Sequence, residues 1–229
     1  MVSEHRSHFG STAATTLLVV CAVVITILLL KREMRPIPHG SAFLHLTSQP
    51  DWETYFDGGH RLGPANAAAV MVEFADFQCP ACRDLENTLR ILSARYPKDF
   101  AIIFRQLPLT RIHPQAQRAA FASECASSQD RFQAMHATLF DKRDSLGVTP
   151  WRRFASEAKV PDLDVFDRCM TDTALVAQLI KHDVDAATRL GAKGTPTGLI
   201  DGVRFDGTLP EPVLDSLVQD AIHRARKKR

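Results

Sequence analysis

Cys79-Pro80-Ala81-Cys82 follows directly on the apolar residues 70–77, Val-Met-Val-Glu-Phe-Ala-Asp-Phe, with only Gln78 between. A Cys-x-x-Cys pair where a strand ends and a helix begins is the layout of a thiol–disulfide redox centre. Two thiols three positions apart on one helical turn can close a disulfide and hand it on, with no cofactor. This placement constrains the fold more than any other feature, because it requires a strand, a tight junction and a helix N-terminus in that order.

The chain has 229 residues and a net charge of +2, which gives no electrostatic case for a nucleic-acid partner. Residues 1–12 are a short polar N-terminus, and 13–30 carry no charge. At ~1.5 Å per residue that run is long enough to cross a bilayer. Its rivals are a cleaved signal peptide and a buried core helix. Lys31-Arg32-Glu33-Met34-Arg35 follows without an Ala-x-Ala site, so an uncleaved anchor is expected. Residues 31–61, broken by Pro36, Pro38, Gly40, Pro50, Gly58 and Gly59, read as a tether and lead-in, with Trp52, Tyr55 and Phe56 suited to one helical turn. Residues 62–229 are enough for a single domain. The basic end from Arg224 to Arg229 reads as a solvated tail after a helix.

Periodicity orders the domain. Residues 70–74 and 101–104 read as buried strands, and 83–95 as a helix with Leu85, Leu89 and Leu92 on one face. This is a parallel pair with a crossover helix. A helical block follows at about 111–191, opened by His113-Pro114. Residues 197–205 then read as a hairpin turning at Asp201-Gly202, before a last helix through Leu214, Leu217, Val218, Ala221 and Ile222. The fold class is α/β.

Five cysteines fall into three classes. Cys21 lies in the apolar run. Cys79 and Cys82 are the redox pair. Cys125 and Cys169, both on helices, form a structural disulfide if the domain is exported, or two buried thiols if it is not. A half zinc site at Cys79 and Cys82 lacks the further ligands of a closed site.

Val-Glu-Phe-Ala-Asp-Phe-Gln-Cys-Pro-Ala-Cys at 72–82, Gly-Thr-Pro-Thr-Gly at 194–198, Ala-Ser-Glu-Cys-Ala at 122–126 and the helical block between the two halves resemble the DsbA-like branch of the thioredoxin superfamily. The resemblance covers roughly 62–222. It implies a thioredoxin-like fold with an inserted helical domain, here preceded by a transmembrane helix. It also implies a redox pair at Cys79 and Cys82, a cis bond between Thr195 and Pro196, a buried acid at Glu73, and exchange with reduced or unfolded exported proteins. Two departures bear on redox poise: Ala81 stands where strong oxidants carry His, and Thr195 where they carry an apolar residue.

Cys79 belongs at the helix N-terminus, with Pro80 at the first position, where a missing N–H costs nothing. Exposed N–H groups and the helix dipole there favour a thiolate. Cys82, one turn inward, resolves mixed disulfides. Ala81 offers no side-chain hydrogen bond, so weaker thiolate stabilisation is expected than with His. Glu73 interrupts a strand covered on both faces, so it is expected buried, with a raised pKa, as a proton relay for Cys82; the competing reading is a carboxylate paired at a wet edge. Pro196 alone favours a trans turn, since few X-Pro bonds are cis, and only the resemblance reverses that. The backbone of Thr195 then offers an edge to a substrate strand.

The function expected is thiol–disulfide exchange, as an oxidase rather than a reductase or isomerase, with no cofactor and with a membrane redox partner that recycles the pair. The alternative is a thioredoxin-fold carrier holding copper or zinc on the same cysteines, for which His182 is the nearest upstream histidine. Positive charge after the span (Lys31, Arg32, Arg35) exceeds that before it (Arg6), which favours a cytoplasmic domain. Long domains translocate regardless of charge, and Cys125 with Cys169 points to an oxidising space, so the periplasmic side is expected.

Overall fold

A computed structural model of the chain describes Thr26 and residues 46–227. Apart from Thr26, the apolar run 13–30 lies outside the described residues, and so does Cys21. Among the described residues no helix is long and apolar enough to cross a membrane.

Among the described residues, six strands form one sheet: β1 (Thr47–Ser48), β2 (His60–Leu62), β3 (Ala69–Ala75), β4 (Phe100–Gln106), β5 (Thr197–Ile200) and β6 (Val203–Asp206). Their spatial order is β1-β6-β5-β3-β4-β2. β3 and β4 run parallel and every other pair is antiparallel. The crossover between the parallel strands is α1 (Pro80–Arg95). Leu85, Leu89 and Leu92 recur along it at helical spacing and all three are buried. Burial of each contributes roughly 1.5–3 kcal/mol.

The two faces of β3 meet different partners. Met71 packs with Leu85 and Leu89 of α1 and with Leu214 and Val218 of α7 (Glu211–Lys227). Val72 and Phe74 pack with Tyr55 and with Ala186, Ala187 and Leu190 of α6 (Ala174–Leu190). With both faces covered, an almost unbroken apolar strand is what burial demands. Between β4 and β5 lies a helical block: α2 (Ala116–Ser127), α3 (Phe132–Asp141), α4 (Trp151–Glu157), α5 (Leu163–Thr171) and α6. β5 and β6 join at Asp201-Gly202, with φ of +47° and +79°, the two positive angles a type I′ turn requires.

The described part of the segment expected as tether and lead-in adds two short strands to the helical turn expected at Trp52, Tyr55 and Phe56. Residues 47–48 pair with β6 and 60–62 pair with β4, while Trp52–Phe56 form a 3₁₀ turn with Tyr55 buried. These strands have two and three residues, too few for alternation to register, and their hydrogen bonds come from distant edges.

Cys125 on α2 and Cys169 on α5 are joined by a disulfide, with Cα atoms 5.7 Å apart and a sequence separation of 44. Closing a loop of that length in the unfolded chain contributes about 2–4 kcal/mol. The double variant Cys125→Ala/Cys169→Ala is therefore expected to lose that much in urea unfolding at an unchanged m-value. A midpoint equal to wild type would show that the crosslink adds nothing to stability.

Candidate active site

β3 ends at Ala75, and Asp76-Phe77-Gln78 turns the chain into α1. Cys79 is the N-cap residue, with extended φ and ψ of −69° and 125°, and Pro80 opens the helix. The turn is held by Asp76, whose buried carboxylate accepts from Gln78 N (2.7 Å), Leu109 N (2.9 Å) and His113 Nδ1 (2.8 Å). The Asp76 carbonyl accepts from Cys79 N at 3.0 Å, and its own N–H points to Cys82 Sγ at 3.5 Å. Gln78 clasps the insert from both sides. Its Oε1 accepts from Gln115 N (2.7 Å), and its carbonyl accepts from Arg143 Nη1 (3.0 Å). Neither Asp76 nor Gln78 stands out in the sequence; only their place beside Cys79 hinted at them.

Cys79 and Cys82 both carry free thiols. Cys79 is 6% exposed, and its thiol donates to the Thr195 carbonyl at 3.5 Å. The Thr195-Pro196 bond is cis. The Cys79 pKa falls from 9.0 to about 5. The main cause is a hydrogen bond from the Cys82 thiol; partial burial opposes it; Thr195 and the N–H groups of Cys82 and Ala81 add to it. Position 81 thus contributes through its backbone where its side chain offers nothing. Cys82 is fully buried, and loss of hydration pushes its thiol well above 9.0, helped by its bond to Cys79 and the charge of Glu73. One sulfur is poised as a thiolate and the other as a thiol.

Glu73 is 1% exposed and neither carboxylate oxygen has a protein hydrogen-bond partner. Its pKa is raised well above 4.5, first by burial and then by the charges of Glu86 and Cys79. In register it lies between Phe104 on β4 and Gly198 on β5. A Cβ at position 198 would sit 2.1 Å from the Phe205 ring, so glycine lets that ring cover the site's flank. Among the described residues no cation pairs with Glu73.

Among the described residues, no group of three or more His, Cys, Asp or Glu side chains is placed to hold a metal. His182 is engaged elsewhere: its Nδ1 accepts from Arg105 Nη2 at 3.0 Å.

The family model described as thioredoxin matches residues 56–220. The chain belongs to the thioredoxin family. Among solved thioredoxin-like structures, an oxidoreductase from Silicibacter pomeroyi superposes with a TM-score of 0.62 at 26% identity, covering 76% of this chain and 97% of that one. The thiol-disulfide exchange protein α-DsbA2 of Wolbachia pipientis shares the fold, with a TM-score of 0.60 at 22% identity over 74% of this chain and 91% of its own. A curated relative, the Na⁺/H⁺ antiporter NhaA 3 of Salinispora tropica, is 37% identical over 170 residues, 74% of this chain and 26% of that protein. The thioredoxin-family chain thus spans about a quarter of the length of the curated relatives it matches.

Proposed function

We propose that this chain is a membrane-tethered thiol–disulfide oxidoreductase that oxidises exported proteins. The observation that carries this reading is the asymmetry of the pair: Cys79 caps the helix N-terminus beside the cis Thr195-Pro196 bond, and Cys82 is enclosed behind it, which lowers the first pKa and raises the second. A stabilised Cys79 thiolate is a good leaving group, so the disulfide form is the better oxidant. A substrate thiolate attacks Cys79 Sγ, the bond to Cys82 breaks, and a mixed disulfide forms on Cys79. A second substrate thiolate then releases the oxidised product and leaves both cysteines reduced. A membrane redox partner reoxidises them. The extended substrate pairs with the backbone at Thr195.

The Cys125–Cys169 disulfide supports an oxidising compartment, and the run 13–30 supports the tether. Ion transport is not proposed. The antiporter relatives owe their name to proteins of which this chain matches only a quarter.

The test is oxidation of a reduced dithiol peptide by the oxidised protein, together with thiolate absorbance of the reduced protein from pH 3 to 10. The expected result is stoichiometric peptide oxidation and one thiolate titrating near the pKa of about 5. Because this folded pKa lies below the unfolded one, the thiolate's stabilisation of the reduced fold is full above about pH 9. It declines below that and is gone under about pH 5. Insulin reduction without peptide oxidation would instead make the protein a reductase. Absence of both activities would overturn the reading.

A further inference from the structure

Three loops meet at the 76–79 turn that carries Cys79. Residues 109–115, ahead of α2, are pinned to it through Asp76 and Gln78. Leu109 N and His113 Nδ1 donate to the Asp76 carboxylate, and Gln115 N donates to Gln78 Oε1. The segment between α3 and α4 reaches the turn through Arg143, whose Nη1 donates to the Gln78 carbonyl. Residues 193–195 bring the Thr195 carbonyl to 3.5 Å from Cys79 Sγ. A Cβ built on Gly194 would meet nothing within 4 Å, so the backbone leading into Thr195 stands open to an incoming chain.

The charge that these loops place around Cys79 is one-sided. Arg111 and Lys193 are exposed, and each lies two residues from one that touches the turn, His113 and Thr195. Neither has an ion-pair partner among the described residues. Arg83, one turn after Cys79 on α1, and Arg143 share a single carboxylate, Asp144. Asp84, also exposed, lies five positions past Cys79, about 140° around the helix from it. Asp206, beside the Gly207 whose N–H donates to the Pro196 carbonyl, is paired with Arg204. The Asp76 carboxylate is buried and taken up by the turn itself. Arg111 and Lys193 are therefore left as uncompensated cations at the rim. Ile112, beside Arg111, is 69% exposed and offers a docked chain apolar contact of no particular sign.

We propose that Arg111 and Lys193 form a basic rim that selects exported polypeptides with acidic residues flanking the reacting cysteine. This rests on the exchange chemistry proposed above and names the substrate class of that site. Complementary charge at a rim acts on encounter and orientation more than on the lifetime of a complex. The first exchange at Cys79 is second order, so a higher local concentration of acidic chains carries directly into its rate. Both cations are exposed, so added salt screens the effect.

The test compares two dithiol peptides that differ only in the residues flanking one cysteine, Glu in the first and Lys in the second. Each is oxidised by the oxidised, full-length protein, and second-order rates are read by mass spectrometry of acid-quenched samples. Each rate is divided by that of the same peptide with hydroxyethyl disulfide, an uncharged oxidant. The division removes the effect of the flanking charges on the peptide's own thiol. Wild type is expected to favour the acidic peptide on the order of tenfold at low salt, falling to about twofold or less at high salt. In Arg111→Glu/Lys193→Glu the preference is expected to reverse, and Arg111→Gln and Lys193→Gln are each expected to lose part of it. The ratio is taken within one protein, so a general change in Cys79 reactivity cancels. Should the double reversal fail to fold, Arg111→Gln/Lys193→Gln carries the comparison, with the preference abolished. A wild-type ratio near one, or a preference that survives in the folded double variant, overturns the basic rim and leaves the exchange reading standing. Oxidation of neither peptide overturns both.

Discussion

Cys79→Ser is expected to reduce catalysed disulfide exchange to the uncatalysed background, while Cys82→Ala, offered a disulfide-bonded substrate, stops one step later: the Cys79 thiolate attacks the substrate disulfide, one substrate sulfur stays bonded to Cys79, and the other leaves as a thiolate that no resolving cysteine replaces. The difference follows from where the sulfurs sit. Cys79 is at the helix N-terminus beside Thr195, and its thiol borders the surface; Cys82 is fully enclosed. Only the first can be reached by another protein, and the second can reach only the first. The Cys82→Ala variant has a further consequence. The hydrogen bond from Cys82 is the largest cause of the lowered Cys79 pKa, so removing it should lift that pKa from about 5 toward the ordinary thiol range. Trapped adducts should then form more slowly at pH 6 than the first step of wild type, and catch up as pH rises. Intact-mass spectrometry of alkylated and trapped protein measures both effects. Wild-type turnover in either variant would refute the assignment, and an unshifted alkylation profile in Cys82→Ala would place the thiolate's stabilisation in the helix N-terminus instead.

The parts of this site that were legible in the sequence are those fixed by local pattern. A strand too apolar for a half-exposed position, a proline after the first cysteine and one carboxylate amid aliphatic side chains locate Cys79, Cys82 and Glu73 without long-range information. The α/β order and the Asp201-Gly202 turn are local in the same sense. What stayed illegible is what distant segments build together. Asp76 reads as one acid among many until His113, Leu109 and Gln78 are brought to its oxygens. Glu86 reads as the solvent side of a helix until α3 covers it with His136. β1 and β2 leave no periodic trace, because edge strands of two or three residues are fixed by their partners.

Arg105 is the extreme case, and the second large effect is expected there. A lone arginine near the end of an apolar strand reads as a residue reaching water, yet it is 1% exposed. Phe74, its register neighbour, faces α6 and the Trp52–Phe56 turn, and the Arg105 guanidinium lies 5.5 Å from the Phe74 ring centroid. Nε and Nη2 reach Asp183 Oδ1 at 2.8 and 2.7 Å, and Nη1 donates to the carbonyls of Tyr55 and Asp57 at 3.1 and 2.7 Å. Asp183 Oδ2 accepts from Gln106 N at 2.8 Å. One ion pair thus ties the lead-in, β4 and α6 together. Burial raises the Asp183 pKa against the pull of Arg105, so desolvation offsets much of what the pair's attraction contributes. Breaking it is another matter, because Asp183→Ala leaves a buried cation without its counterion. The expected loss is about 3–5 kcal/mol in urea unfolding. Removing the cation as well should recover part of that loss. Arg105→Met/Asp183→Ala is expected to lose about 0.5–3 kcal/mol less than the sum of the single losses. Strict additivity would mean that the two groups do not depend on each other.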